Sequence, residues 1–139
     1  MIQKSLGIIK PDATKRKLIG DIIKMIQMSD INIIGLKMIK MTEELARGFY
    51  YVHKEKEFFN PLVEYMSSGT SVVLVLEGEN VIKRWRRLMG ATNPANADPG
   101  TIRNVHGLNV QENSVHGSDA PETAEFEISY FFKKDELVK

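Results

Sequence analysis

The chain has no cysteine among its 139 residues. That excludes a disulfide framework and every zinc site built on thiolates, and it fits a reducing compartment. It also leaves histidine as the best nucleophile for any covalent chemistry. Long apolar runs are missing too. The longest, Val72 to Leu76, falls far short of the roughly 18 residues that a membrane-spanning helix needs. Met1 to Lys10 lacks the apolar stretch of a secretory leader. The expected location is therefore the cytoplasm, with no membrane partner. No charge of one sign dominates: 19 basic and 18 acidic side chains leave a formal charge of +1. Such a balance gives no case for a nucleic-acid or acidic-membrane protein. Neither a Walker A pattern nor a Gly-rich kinase loop is present, so a P-loop is not a source of phosphate binding.

What is present suffices for one hydrophobic core, with 42% hydrophobic and 27% charged residues. No repeat, low-complexity segment or linker divides the chain, so residues 1–139 read as a single domain. Gln3 to Lys10 reads as a strand with Leu6, Ile8 and Lys10 on one face, ended by Pro11. Ile19, Ile22, Ile23 and Ile26 recur at helical spacing. Asn32 to Met41 reads as a second strand. Thr42 then suits a helix N-cap, with Glu43 and Glu44 at the positive helix end. Leu45, Phe49 and Val52 make its stripe, and Phe58, Phe59, Leu62 and Met66 make the next. Ser71 to Glu77 is apolar on both parities and predicts a central strand covered on both faces. Val81, Ile82, Trp85, Leu88 and Met89 predict a helix closed by Gly90. Ala91 to Glu112 shows no clear period, and a loop of that length is usually functional or disordered. Ser114 to His116 would be the last strand. Asp119 to Glu122 would open a final helix with Ala124, Ile128 and Phe131 as its stripe.

The densest chemistry lies in Asn113-Ser114-Val115-His116-Gly117-Ser118-Asp119. A neutral imidazole, with an ordinary pKa of about 6.5, is a competent nucleophile near pH 7 without a separate base. Gly117 would let the backbone approach a ligand. Ser118 and Asp119 are N-cap types for the next helix, whose free N–H groups suit an anion. Other residues read two ways. Lys10 is either a snorkelling lysine at a strand end or an ammonium aimed into a cleft. Tyr50 on its own reads as a half-buried core aromatic. Glu127 falls on the apolar stripe, so it either reaches solvent at the edge or has a partner, an imidazole being the obvious one. Lys83, Arg84, Arg86 and Arg87 read as a solvated face, or as a nucleic-acid surface. His53 and His106 lack metal-ligand spacing to His116, so no protein metal site is expected.

The seven-residue stretch closely resembles the signature of nucleoside diphosphate kinases, Asn-x-x-His-Gly-Ser-Asp, and matches it at every fixed position. Ile8-Ile9-Lys10-Pro11-Asp12, Thr92-Asn93-Pro94-Ala95 and Pro99-Gly100-Thr101-Ile102-Arg103 also look like segments of that family. The resemblance covers almost the whole chain. It implies an α+β, ferredoxin-like βαββαβ sandwich with a four-stranded antiparallel sheet and helices packed on it. It implies ping-pong transfer of the γ-phosphate of ATP to nucleoside diphosphates through a phosphohistidine on His116. Glu127 would orient the ring, and Ser118 would brace Glu127. Lys10 would contact the transferred phosphate and the ribose, and Tyr50 would line the phosphate site. Arg86, Thr92 and Arg103 would bind phosphates. Phe58 would stack on the base, which every base permits because each has a π-face. Val110 would touch the base or ribose region and Asn113 the ribose hydroxyls. Mg²⁺ would arrive on the nucleotide phosphates. The family forms homotetramers or homohexamers. Longer relatives carry a C-terminal tail that contributes to assembly, whereas this sequence ends at Lys139. A non-catalytic nucleotide-binding module is the rival reading. Nucleic acid is not expected as the main partner.

Overall fold

The computed structural model describes residues 1–138. Its strands are β1 (Ile2–Ile9), β2 (Asn32–Lys40), β3 (Thr70–Glu79) and β4 (Val115–Gly117). Its helices are α1 (Pro11–Lys15), α2 (Ile19–Met28), α3 (Glu43–Phe49), α4 (Phe59–Met66), α5 (Val81–Met89), α6 (Ile102–His106) and α7 (Pro121–Phe131). The sheet order is β2-β3-β1-β4, and every neighbouring pair is antiparallel. This is the ferredoxin-like arrangement, with α3 and α4 inserted between β2 and β3.

The apolar run in β3 explains the layering. Val73 and Val75 join Leu6 and Ile8 of β1 on one face, against Phe49, Val63 and Met66 of α3 and α4. Val72, Leu74 and Leu76 join Ile9 on the other face, against Ile22, Ile26 and Trp85 of α2 and α5. Successive side chains of a strand point to opposite faces, so an apolar run on both parities needs cover on both. The core therefore has two slabs, one on each side of the sheet.

Several boundaries differ from the sequence reading, each for a local reason. β1 stops at Ile9. Lys10 is the N-cap of α1, and Pro11 begins that helix, a position where its missing N–H costs nothing. α3 ends at Phe49, so Val52 lies on a short 3₁₀ turn (Tyr51–His53) and is 80% exposed rather than part of a helical stripe. Phe58 caps α4 from outside the core and is half exposed. The aperiodic stretch contains a 3₁₀ turn (Pro94–Asn96) and α6. β4 starts at Val115, because Ser114 has φ +78° and leaves the ladder. The N-cap of α7 is Ala120, not Ser118 or Asp119. Thr123 does the capping: its Oγ1 accepts from the Ala120 N–H at 3.0 Å and donates to the Ala120 carbonyl at 2.9 Å. Thr42 caps α3 as expected, accepting from the Leu45 N–H at 3.0 Å. Gly90 closes α5 at φ +89°, where a Cβ would also lie 2.5 Å from Thr101 Oγ1. Among the described residues, no helix is long and apolar enough to cross a membrane.

Candidate active site

β4 pairs with β1 so that His116 lies opposite Ile8. The imidazole is half-buried, and its Nε2 is 3.0 Å from Glu127 Oε1 on α7. Ser118 Oγ donates to the same carboxylate oxygen at 2.8 Å and accepts from the Leu6 N–H at 3.1 Å. Ser118 thus fixes α7 to the sheet beneath the ring. A carboxylate only accepts, so the hydrogen of a neutral imidazole sits on Nε2 and the free lone pair on Nδ1. Phe49 and Tyr50 meet the ring edge-on, with centroids 5.4 and 6.2 Å away. Trp85 Nε1 donates to the His116 carbonyl at 3.3 Å. Gly117 serves packing as well as access: a Cβ there would lie 2.6 Å from both Met89 Cε and Trp85 Nε1.

The turn before β4 is unusual. The Val115 N–H donates to the Asn113 carbonyl at 3.0 Å across Ser114, whose φ is +78°. This is a three-residue γ-turn of the rarer, strained kind. Lys10 holds it from two sides. Its N–H donates to the Ser114 carbonyl at 2.8 Å, and its Nζ donates to Asn113 Oδ1 at 2.9 Å and to the Gln111 carbonyl at 3.2 Å. Asn113 is buried, and its Nδ2 donates to the Thr92 carbonyl at 2.9 Å. The carboxamide of Asn113 therefore joins Lys10 to the Thr92 loop.

Positive charge converges here. Lys10 is only 7% exposed; burial and then Arg103 lower its pKa to about 8, while Asp12 opposes the fall. Arg103 is held by the Gly90 carbonyl at 3.0 Å and the Val115 carbonyl at 2.8 Å, and its buried Nε has no partner. Burial and then Arg86 lower the Arg103 pKa to about 10. Arg86 on α5 is exposed and pairs with Asp119 at 2.6 Å. Arg103 acts on Lys10 and Arg86 on Arg103, so positive charge outweighs the nearby Asp12 and Asp119 carboxylates here. Tyr50 adds a neutral donor: its hydroxyl is buried without a partner, and burial followed by Glu127 pushes its pKa well up.

Lys10, Tyr50, Phe58, Arg86, Thr92, Arg103, Val110, Asn113, His116 and Glu127 line one cleft of about 510 Å³, and Ser118 lies fully buried beneath it. Two hollows of about 580 and 600 Å³ lie elsewhere and hold no such convergence. Among the described residues, no group of three or more His, Cys, Asp or Glu could hold a metal ion.

The family model for nucleoside diphosphate kinase matches residues 3–137. The chain belongs to the nucleoside diphosphate kinase family. It is 57% identical over 137 residues to the nucleoside diphosphate kinase of Rhizobium meliloti, covering 99% of this chain and 98% of that protein. The enzyme of Nitratidesulfovibrio vulgaris is 54% identical over 138 residues, covering 99% of each. Among solved structures, the Aquifex aeolicus nucleoside diphosphate kinase superposes with a TM-score of 0.98 at 42% identity, covering 99% of this chain and 100% of that one. The Halobacterium salinarum nucleoside diphosphate kinase, solved in complex with CDP, gives a TM-score of 0.96 at 38% identity, covering 100% and 93%.

As a nucleoside diphosphate kinase, the chain is a phosphotransferase acting on nucleotides. Phosphoryl transfer has a loose transition state with charge on its peripheral oxygens, so positioned cations carry most of the catalysis. Sequence reasoning missed several residues on the walls of this cleft: Phe49, Val52, His53, Gln111 and Thr123. His53 lacks metal-ligand spacing in the sequence, and its ring sits 5.3 Å from that of Phe58 at the cleft. The Arg86–Asp119 pair had no signal at all, since its partners are 33 residues apart.

Proposed function

We propose that residues 1–139 form one nucleoside diphosphate kinase domain that moves the γ-phosphate of ATP to nucleoside diphosphates through His116. The lone pair on His116 Nδ1 attacks the γ-phosphorus. The bond to the β,γ-bridging oxygen breaks, and ADP leaves with that electron pair. The entering diphosphate then attacks the same phosphorus with a terminal oxygen, and the N–P electron pair returns to Nδ1. Nε2 keeps its hydrogen throughout, held by Glu127, which Ser118 braces.

The observation that carries this reading is the imidazole, hydrogen-bonded to a buried carboxylate, at a cleft lined by Lys10, Arg86 and Arg103. Lys10 has three donors and spends two on Asn113 and Gln111, leaving one for a phosphate oxygen. Arg86 and Thr92 stand at the wall with Arg103 and Tyr50, whose unpartnered Nε and hydroxyl are buried and add positive potential beneath the phosphates. Exposed Phe58 and Val110 offer apolar surface for the base. Stacking tolerates every base, which suits a site that takes donor and acceptor in turn. Asn113 would serve the ribose through the second lone pair of its Oδ1. That the Halobacterium salinarum relative was solved in complex with CDP supports a nucleotide as the ligand.

Mg²⁺ would come with the nucleotide. The cleft's carboxylates, Glu127 and Asp119, are engaged by His116 and Arg86. That leaves phosphate oxygens as its ligands, a common arrangement for this ion. When bound, it neutralises phosphate charge. A homotetramer or homohexamer is supported by the open edge of β2, where Leu36 is 54% and Met38 65% exposed, since such edges invite pairing. The absence of cysteine supports a cytoplasmic location. Initial rates with both nucleotides varied test the mechanism. Parallel double-reciprocal lines are expected, with no activity in His116→Ala. Intersecting lines would overturn it.

A further inference from the structure

Asp12 does not line the nucleotide cleft, yet the groups bonded to it belong to the frame around Lys10. It is 6% exposed, in the first turn of α1. Its N–H donates to the Tyr65 hydroxyl oxygen at 3.0 Å, and that hydroxyl donates back to Asp12 Oδ1. Arg16 Nη2 donates to Asp12 Oδ2 at 3.1 Å and to the His106 carbonyl, at the end of α6, at 2.6 Å. The Ser114 hydroxyl, in the strained turn, lies 3.5 Å from the same Oδ2. The Lys10 ammonium sits 5.9 Å from the centre of the Tyr65 ring.

We propose that Asp12 is a positioning residue for phosphoryl transfer: it locks α1, α4, α6 and the Ser114 turn around Lys10, and its negative charge keeps the Lys10 ammonium charged. The inference rests on the reading of Lys10 as a phosphate-binding cation. A neutral amine has two hydrogens, and Asn113 and Gln111 occupy two. Only the ammonium has a third for phosphate. Burial and Arg103 both favour the neutral form, and Asp12 opposes them. The remaining charged or titratable neighbours are Arg16 and Tyr65 on Asp12, Glu112 beside Tyr65, and Tyr50, His53, Arg86, His116, Asp119 and Glu127 around the cleft. None of these carboxylates is as firmly built in: Glu112 is partly exposed, Asp119 is exposed and paired with Arg86, and Glu127 is committed to His116 and Ser118.

The test is kcat/KM against pH from 6 to 9.5 for wild type, Asp12→Asn, Arg16→Gln and Lys10→Met, with a thermal melt of each. Wild type should lose activity through an alkaline limb near pH 8, where Lys10 titrates, and Lys10→Met should lack that limb. Asp12→Asn should move the limb down by about one pH unit, the usual effect of one nearby charge. The variant would then fall about five-fold below wild type at pH 8 and return toward it at pH 6.5. Arg16→Gln should move the limb the other way, because Asp12 then acts on Lys10 without its counter-charge. A loss in Asp12→Asn that is equal at every pH would overturn the proposal, as would a downward shift in Arg16→Gln. If Asp12→Asn does not fold, the direction in Arg16→Gln decides. A limb that persists in Lys10→Met overturns the Lys10 reading itself, a failure distinct from an Asp12 variant that leaves a Lys10 limb unmoved.

Discussion

Lys10→Met removes a charge that the folded chain holds against its own preference. The folded pKa is about 8 against an ordinary 10.5. At about 1.36 kcal/mol per unit, charging Lys10 in the fold rather than in the unfolded chain costs roughly 3 kcal/mol at pH 7. The sign follows from proton counts. Below pH 8 both states bind the proton and the penalty is complete. Between pH 8 and 10.5 only the unfolded chain keeps it, so wild-type stability rises with pH across that window. Methionine abolishes the penalty but leaves Asn113 Oδ1 and the Gln111 carbonyl without their donor, a loss of about 1–3 kcal/mol for each. Gain and loss are of similar size, so the variant should lie within about 3 kcal/mol of wild type at pH 7. Relative to wild type, it should lose about 2.5 kcal/mol as the pH is raised from 7 to 10. Activity should fall. One charge-assisted hydrogen bond to phosphate is worth about 1.5–3 kcal/mol, or about 10–150-fold in kcat/KM. Urea unfolding at half-unit pH steps and a coupled nucleotide assay measure both. A stability difference that does not change with pH would refute the reasoning, and so would an unchanged kcat/KM.

Other expectations follow from single contacts. Glu127→Gln keeps the shape beside His116 but offers an amide hydrogen to Nε2, so kcat should fall about 10–100-fold with KM little changed, read from saturation curves. Phe58→Ala should raise KM for purine and pyrimidine nucleotides alike, by about 1–3 kcal/mol of lost stacking, measured by competition between nucleotides. Gly117→Ala drives a methyl against Met89 and Trp85 and should lower stability by about 1–3 kcal/mol in chemical denaturation.

How much could be read from residues alone depended on the range of the contact. The β3 run was legible because burial on both faces leaves a mark in consecutive residues. Thr42 was legible because a cap bonds three residues away. Ser118 read by type as a cap was misplaced, since its hydroxyl goes to Glu127 nine residues on and Thr123 does the capping. The Ser114 turn left no signal, because its partner Lys10 sits at the end of the neighbouring strand, far away in the chain. The segment from Ala91 to Glu112 hid α6, which has five residues and shows too little period to detect. Convergence of Lys10, Arg86 and Arg103 on His116 came from the family pattern, because no local spacing relates positions so far apart in the chain.

Incubation with γ-labelled ATP, followed by isolation of the protein, addresses the carrier role of His116 most directly. The account predicts a label on wild type that is labile in acid, stable in alkali, discharged by GDP and absent from His116→Ala. A wild-type protein that transfers phosphate without ever retaining label, or a His116→Ala variant labelled equally well, would contradict it.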